Sequence, residues 1–216
     1  MKTDADLKKD VEAELAWDPA IRSPSIGVTV KEGVVTLTGH IGTYAEKRAA
    51  EKAVRRVAGA KAIALELDVR LSPEHLRSDT DIAIAAGQSL RGSSLVPDKV
   101  TATVDEGWIT LRGEVGWDYQ RRGAEKAVRN LTGVIGIGNE ITIKTPAATP
   151  ADLRTRITEA LKRQVEHEVN KIDIQVDGAK VTLRGRVNSW HERDTAQGVA
   201  WSAPGVMAVT NELTVG

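Results

Sequence analysis

Four histidines, His40, His75, His167 and His191, are the side chains best suited to move a proton or bind a metal near neutral pH. No two have the i, i+4 spacing that would align them on a helix, and none stands in a zinc-binding pattern. No nucleophile–base pair or pair of carboxylates can be placed beside them, so they read as solvated surface groups. The expectation is no catalytic residue, no metal and no cofactor. The stretch Val134-Ile135-Gly136-Ile137-Gly138-Asn139 is rich in glycine. A dinucleotide loop follows a strand and opens a helix, whereas this stretch follows a helix pattern and opens a strand. It is read as backbone and not as a cofactor loop.

Binding is better represented than catalysis. Lys47, Arg48, Lys52, Arg55 and Arg56 form one basic run, and Arg121, Arg122, Lys126 and Arg129 form a second. Both fall on helical patterns. One reading is a solvated face neutralised by pairs such as Lys47–Glu51. The other is a surface for lipid headgroups, where each cation contributes about 1 kcal/mol near an anionic membrane. The third repeat carries only Arg193 in this region. There are five tryptophans and no phenylalanine. Trp117 and Trp190 start helices and are candidate anchors for a membrane interface, a partner or a neighbouring repeat. Trp108 falls on an outward strand position, and Trp17 and Trp201 fit helix packing.

These residues hang on a phrase written three times: Val35-Thr36-Leu37-Thr38-Gly39, Ile109-Thr110-Leu111-Arg112-Gly113 and Val181-Thr182-Leu183-Arg184-Gly185. The glycines are 74 and 72 residues apart. Around each copy the pattern runs helix, strand, tight turn, strand, helix, strand. In the first, Leu7, Val11 and Leu15 mark a helix face that ends in the Pro19 and Pro24 region. Ile26, Val28 and Val30 then alternate with polar residues. Thr43-Tyr44-Ala45-Glu46 and Ser189-Trp190-His191-Glu192 are capping boxes. In the second repeat Trp117-Asp118-Tyr119-Gln120 stands in their place and lacks the hydroxyl. Gly59, Gly133 and Gly205 all lie 20 residues beyond the strand glycines and read as helix stops; Glu66, Glu140 and Glu212 all lie 27 beyond. Gly39, Gly113 and Gly185 read as backbone bends or bulges. The loops after them lead into helix N-termini, which suit anions.

The predicted architecture is α+β: three tandem α-β-β-α-β units over residues 1–71, 78–144 and 149–216. Each is a small three-stranded sheet with two helices on one face. Units this small bury only about 60–65% of their surface, so neighbours should pack together. The linkers are Ser72–Arg77 and Lys144–Thr149. Thirty basic residues balance thirty acidic ones, and no unit departs from balance by more than one charge. That sets nucleic acid aside as a partner. No cysteine is present, no run of about 18 apolar residues occurs, and no secretory signal opens the chain. The absence of any signal gives the cytoplasm as the expected location.

The repeated unit, its Val-Thr-Leu-x-Gly strand and the helix closing on Gly-Val resemble the BON domain, and the resemblance covers nearly the whole chain. It implies a bacterial, non-enzymatic stress module of the periplasm or envelope, with an anionic phospholipid or an envelope protein as partner. Self-association into a scaffold and sensing of a small ion such as potassium are the alternatives.

Overall fold

The computed structural model describes residues 2–22, 26–146, 149–164 and 172–216. Pro24, His167 and the Ala147-Ala148 part of the second linker lie outside them. Unit one runs α1 (Asp4–Trp17), β1 (Ile26–Lys31), β2 (Val34–Ile41), α2 (Tyr44–Arg56) and β3 (Ala62–Val69). Unit two runs α3 (Asp79–Arg91), β4 (Thr101–Asp105), β5 (Trp108–Arg112), β6 (Glu114–Val115), α4 (Asp118–Val128), β7 (Gly136–Asn139) and β8 (Thr142–Ile143). Unit three runs α5 (Pro150–Gln164), β9 (Ile172–Asp177), β10 (Lys180–Val187), α6 (Trp190–Ser202) and β11 (Ala208–Val215).

In each unit the glycine-ending strand is central, antiparallel to the strand before it and parallel to the one after the second helix. Val35 and Leu37, Ile109 and Leu111, and Val181 and Leu183 are fully buried on the helix side. Unit one has its own core, whereas the cores of units two and three are continuous. In unit two the strands are interrupted at Gly113 and at Ile141, which is buried between β7 and β8 rather than on a strand. The ladder carries through: Glu140 N–H donates to Leu111 O and Thr142 N–H to Gly113 O.

The first helices clamp the hairpin turns. Glu32-Gly33 and Glu106-Gly107 both hold positive φ, the geometry of a tight turn whose twist matches the strands. Glutamate is a poor residue there. Asp4 compensates by accepting from the N–H groups of Glu32 and Gly33 at 2.7 and 2.9 Å, and Asp79 from Glu106 and Gly107 at 2.8 Å each. Unit three has Gly178 in the turn and Pro150 at the helix start, and no such clamp is present among its described residues. Asp79→Ala is therefore expected to destabilise unit two by about 2 kcal/mol, as two charge-assisted bonds are lost. Urea unfolding of wild type and variant reads this; an unchanged midpoint would show the clamp to be idle.

Candidate functional site at the second helices

Thr43 and Ser189 cap α2 and α6 as the capping boxes predict, with Glu46 and Glu192 reaching back to Gly42 and Asn188. Unit two keeps half of the box. The Trp117 side chain offers no acceptor, but Gln120 Oε1 accepts from the N–H groups of Gly116 and Trp117 at 3.0 and 3.1 Å. The helices stop at Arg56, Val128 and Ser202, and the stop glycines act a few residues on, where Gly59, Gly133 and Gly205 all hold positive φ.

The structure divides the basic runs. Glu51 takes Arg48 and Arg55, not Lys47, whose ammonium instead donates to Leu67 O. Arg56 is bound by Glu14 and Asp18 of unit one. The buried carboxylate of Asp118 holds both Arg121 and Arg122, and Glu125 lies 3.7 Å from Arg129. Lys52 and Lys126 are exposed at equivalent places on α2 and α4.

Several of these groups join the units. Counted from the strand glycines, Tyr44, Asp118 and Trp190 are one template position, and Arg55, Arg129 and Trp201 another, one helix length on. The far end of each second helix meets the near end of another. Arg55 stacks on Trp190 at 5.0 Å and pairs with Asp194 at 3.2 Å. Arg121, beside Asp118, stacks at 4.5 Å on Trp201. Tyr44 packs against the core of the other two units, in the field of Glu125 and Arg129. With Arg129 it lines a cavity of about 200 Å³ between units one and two. Trp190 also donates its Nε1–H to Ala60 O of unit one at 2.8 Å. The three helices thus form a head-to-tail ring within one chain, the arrangement a cyclic trimer would have.

Burial raises the Tyr44 phenol above its ordinary value by disfavouring the phenolate. Such a group lends stability in full below its unfolded pKa and loses it as pH rises through the folded one. Wild type should therefore lose stability above about pH 10 more steeply than Tyr44→Phe. Thermal melts of the two proteins at rising pH check this, and parallel slopes would refute it.

The tryptophans separate by role. Trp190 and Trp201 pack between units, Trp117 is exposed at the start of α4, and Trp108 is half-exposed on the outer face of the sheet. Trp17 does not pack: at 82% exposure it stands at the end of α1, two residues past Leu15 and so off the buried stripe. The glycine-rich stretch serves Trp108. A Cβ on Gly136 would lie 2.1 Å from the indole Cζ3, and one on Gly138 would lie 3.4 Å from its Nε1. Both positions are cleared so that the ring can lie across them. His40 is 3.6 Å from Asp68, His75 bonds Ser72, and His191 is exposed. Among the described residues no three metal-binding side chains converge, and no helix is long and apolar enough to cross a membrane.

Comparison with known families matches the BON domain three times, over residues 3–70, 78–145 and 149–216. The chain belongs to the BON domain family. It is similar to osmotically-inducible protein Y of Escherichia coli strain K12, 27% identical over 146 residues that span 65% of this chain and 73% of that one. Two solved structures of CdsD, a structural protein of the type III secretion system of Chlamydia trachomatis, align over 100% and 96% of this chain and 100% and 91% of theirs. They do so at 14% and 15% identity and TM-scores of 0.27 and 0.25, values too low to bear on fold or role. Each BON unit supplies one α-β-β-α-β template, and it is the second helix of each that meets its neighbours.

Proposed function

We propose that this BON protein is a non-catalytic binding protein of the bacterial osmotic-stress response that acts at the envelope by associating with anionic phospholipid. Family membership and the osmotically inducible relative support the setting. The cytoplasmic placement expected from the absence of a signal gains no support from either. One observation carries the choice of ligand. On α4, Tyr119, Arg122 and Lys126 share one exposed face at i, i+3 and i+7, beside the exposed Trp117 at the cap. Aromatic rings with a polar edge, flanked by cations, are what the headgroup layer accepts. Arg122 is partly neutralised by Asp118, so its share is the smaller.

Co-sedimentation with phosphatidylglycerol and with phosphatidylcholine vesicles tests this. Binding to the first and not the second is expected. The double variant Arg122→Gln, Lys126→Gln should weaken it by about ten-fold, the loss of one free cation near the surface and of the smaller share of Arg122. Equal binding to both vesicle types, or none, removes the proposal. Trp17 favours a second reading, a protein-interaction scaffold, because a solvated indole at a helix end suits a partner's pocket. Light scattering across concentration reads the self-assembling form of it. Growth in mass with concentration, lost in Trp17→Ala, would support it; a constant monomer mass would exclude it.

A further inference from the structure

Among the template positions at which the outer face of the unit-two sheet differs from the other two, three adjoin. Trp108 stands where units one and three have Val34 and Lys180. Gly136 stands where they have Ala62 and Ala208, and Gly138 where they have Ala64 and Thr210. Strand register puts these three together: Trp108 is opposite Gly136, and Thr110 opposite Gly138. Glycine inside a strand weakens it, so two glycines here cost sheet stability. What they permit is the posture of one ring. The six-membered edge of the indole lies over Gly136 and its Nε1 over Gly138, so one face of the ring rests along β7. The side chain remains 49% exposed, which leaves the other face to solvent.

The surroundings select among ligands for such a ring. On the same face the register places Asp105 opposite Trp108, and Thr103 opposite Thr110. Arg112 is held by Glu140 at 2.8 Å. The border is therefore hydroxyls and carboxylates, with its nearby cation already paired. A nucleotide or an anionic lipid would bring phosphate toward an acidic border where, among the described residues on the outward positions of β4, β5 and β7, the one cation is Arg112, already paired with Glu140. An apolar protein anchor would bury carboxylates and hydroxyls without partners. A neutral sugar fits both halves. A pyranose has a face of C–H bonds whose positive edge suits the negative face of the indole, and hydroxyls around it that can bond threonines and carboxylates.

From this juxtaposition we propose that the outer face of the unit-two sheet is a carbohydrate platform, with Trp108 stacking on a pyranose ring of a neutral glycan and Thr103, Thr110, Asp105 and Glu140 bonding its hydroxyls. The site is separate from the α4 face assigned to lipid. It stands or falls independently of that assignment.

The five indole N–H signals of the 15N-labelled full chain provide the test. The Trp108 signal is assigned by its disappearance in Trp108→Phe. Cellotetraose, chitotetraose and maltotetraose are titrated separately to about 10 mM, because one stacked ring should bind with a Kd of about 1 mM. The expected result is a saturable shift of the Trp108 signal with at least one sugar, the other four indoles staying in place. Gly136→Val, which lifts the ring from its shelf, should weaken that binding at least tenfold in a protein whose spectrum is otherwise unchanged. No saturable shift with any of the three sugars overturns the proposal. So does a Trp108 signal that moves with protein concentration or with phosphatidylglycerol vesicles instead, since the platform would then serve a second copy or a membrane.

Discussion

Gly113→Ala is expected to cost about 3 kcal/mol or more and to unfold unit two well before wild type melts. The strand glycines hold φ of +121° at Gly39, +144° at Gly113 and +132° at Gly185, a region that residues with a Cβ reach only under strain. At Gly113 the strain is compounded by contact. A Cβ there would lie 2.5 Å from Lys99 O and 3.0 Å from Val100 Cα, both backbone atoms that cannot rotate aside. Strain of this kind alone costs about 1–3 kcal/mol, and relief of the clash would force the chain entering β4 away from β5, loosening the ladder. The damage should spread further, because the core of unit two runs on into unit three. Denaturant unfolding with near-UV circular dichroism measures it. A loss below about 1 kcal/mol would mean that the backbone conformation is not why glycine stands there.

Much of this fold was legible in the sequence because it rests on short-range rules. Period-two alternation marks Val28, Val35 and Leu37, and the i, i+4 stripes mark Leu7, Val11 and Leu15; all are buried. The capping boxes at Thr43 and Ser189 need only four residues to specify them. The repetition supplied the rest, since a glycine recurring at one template position in three units points to a backbone requirement. What stayed hidden depends on neighbours distant in sequence. Glu51 could have paired with Lys47 by spacing, but packing sends Lys47 to Leu67 O and leaves Glu51 to Arg48 and Arg55. Trp17 has the composition of a core residue and the position of a surface one. The shelf under Trp108 requires knowing that β7 lies beside β5, which the linear pattern of Gly136 and Gly138 does not say. One signal for the ring of helices was available. Arg55, Arg129 and Trp201 share a template position, as do Tyr44, Asp118 and Trp190. Both places lie at the ends of the second helix, one helix length apart, which is the spacing that contacts between the ends of successive helices require.

Trp190→Ala should detach unit one from the rest. Unit one has its own core, and Trp190 of unit three meets it with both a hydrogen bond and a stacked ring. Its indole donates to Ala60 O, carries Arg55 of unit one on its ring, and is backed by Arg193 at 5.3 Å. Arg193 is fixed from behind, with its guanidinium bonded to Leu213 O and Asn211 O. Alanine removes the ring and both stacking contacts, leaves Ala60 O without its donor, and reduces the Arg55 contact to the pair with Asp194. Loss of a large aromatic contact with a hydrogen bond amounts to about 2–3 kcal/mol of coupling. A unit of some 70 residues is marginal alone, so losing that coupling should change the form of the melt as well as its midpoint. The expected calorimetric trace has two transitions, the earlier from unit one, where wild type shows one. Trp190→Phe keeps the packing and the stacking but not the donor, and should lie between them. A single transition for Trp190→Ala, shifted or not, would show that the ring is held closed elsewhere, at Tyr44 and the Trp201–Arg121 stack.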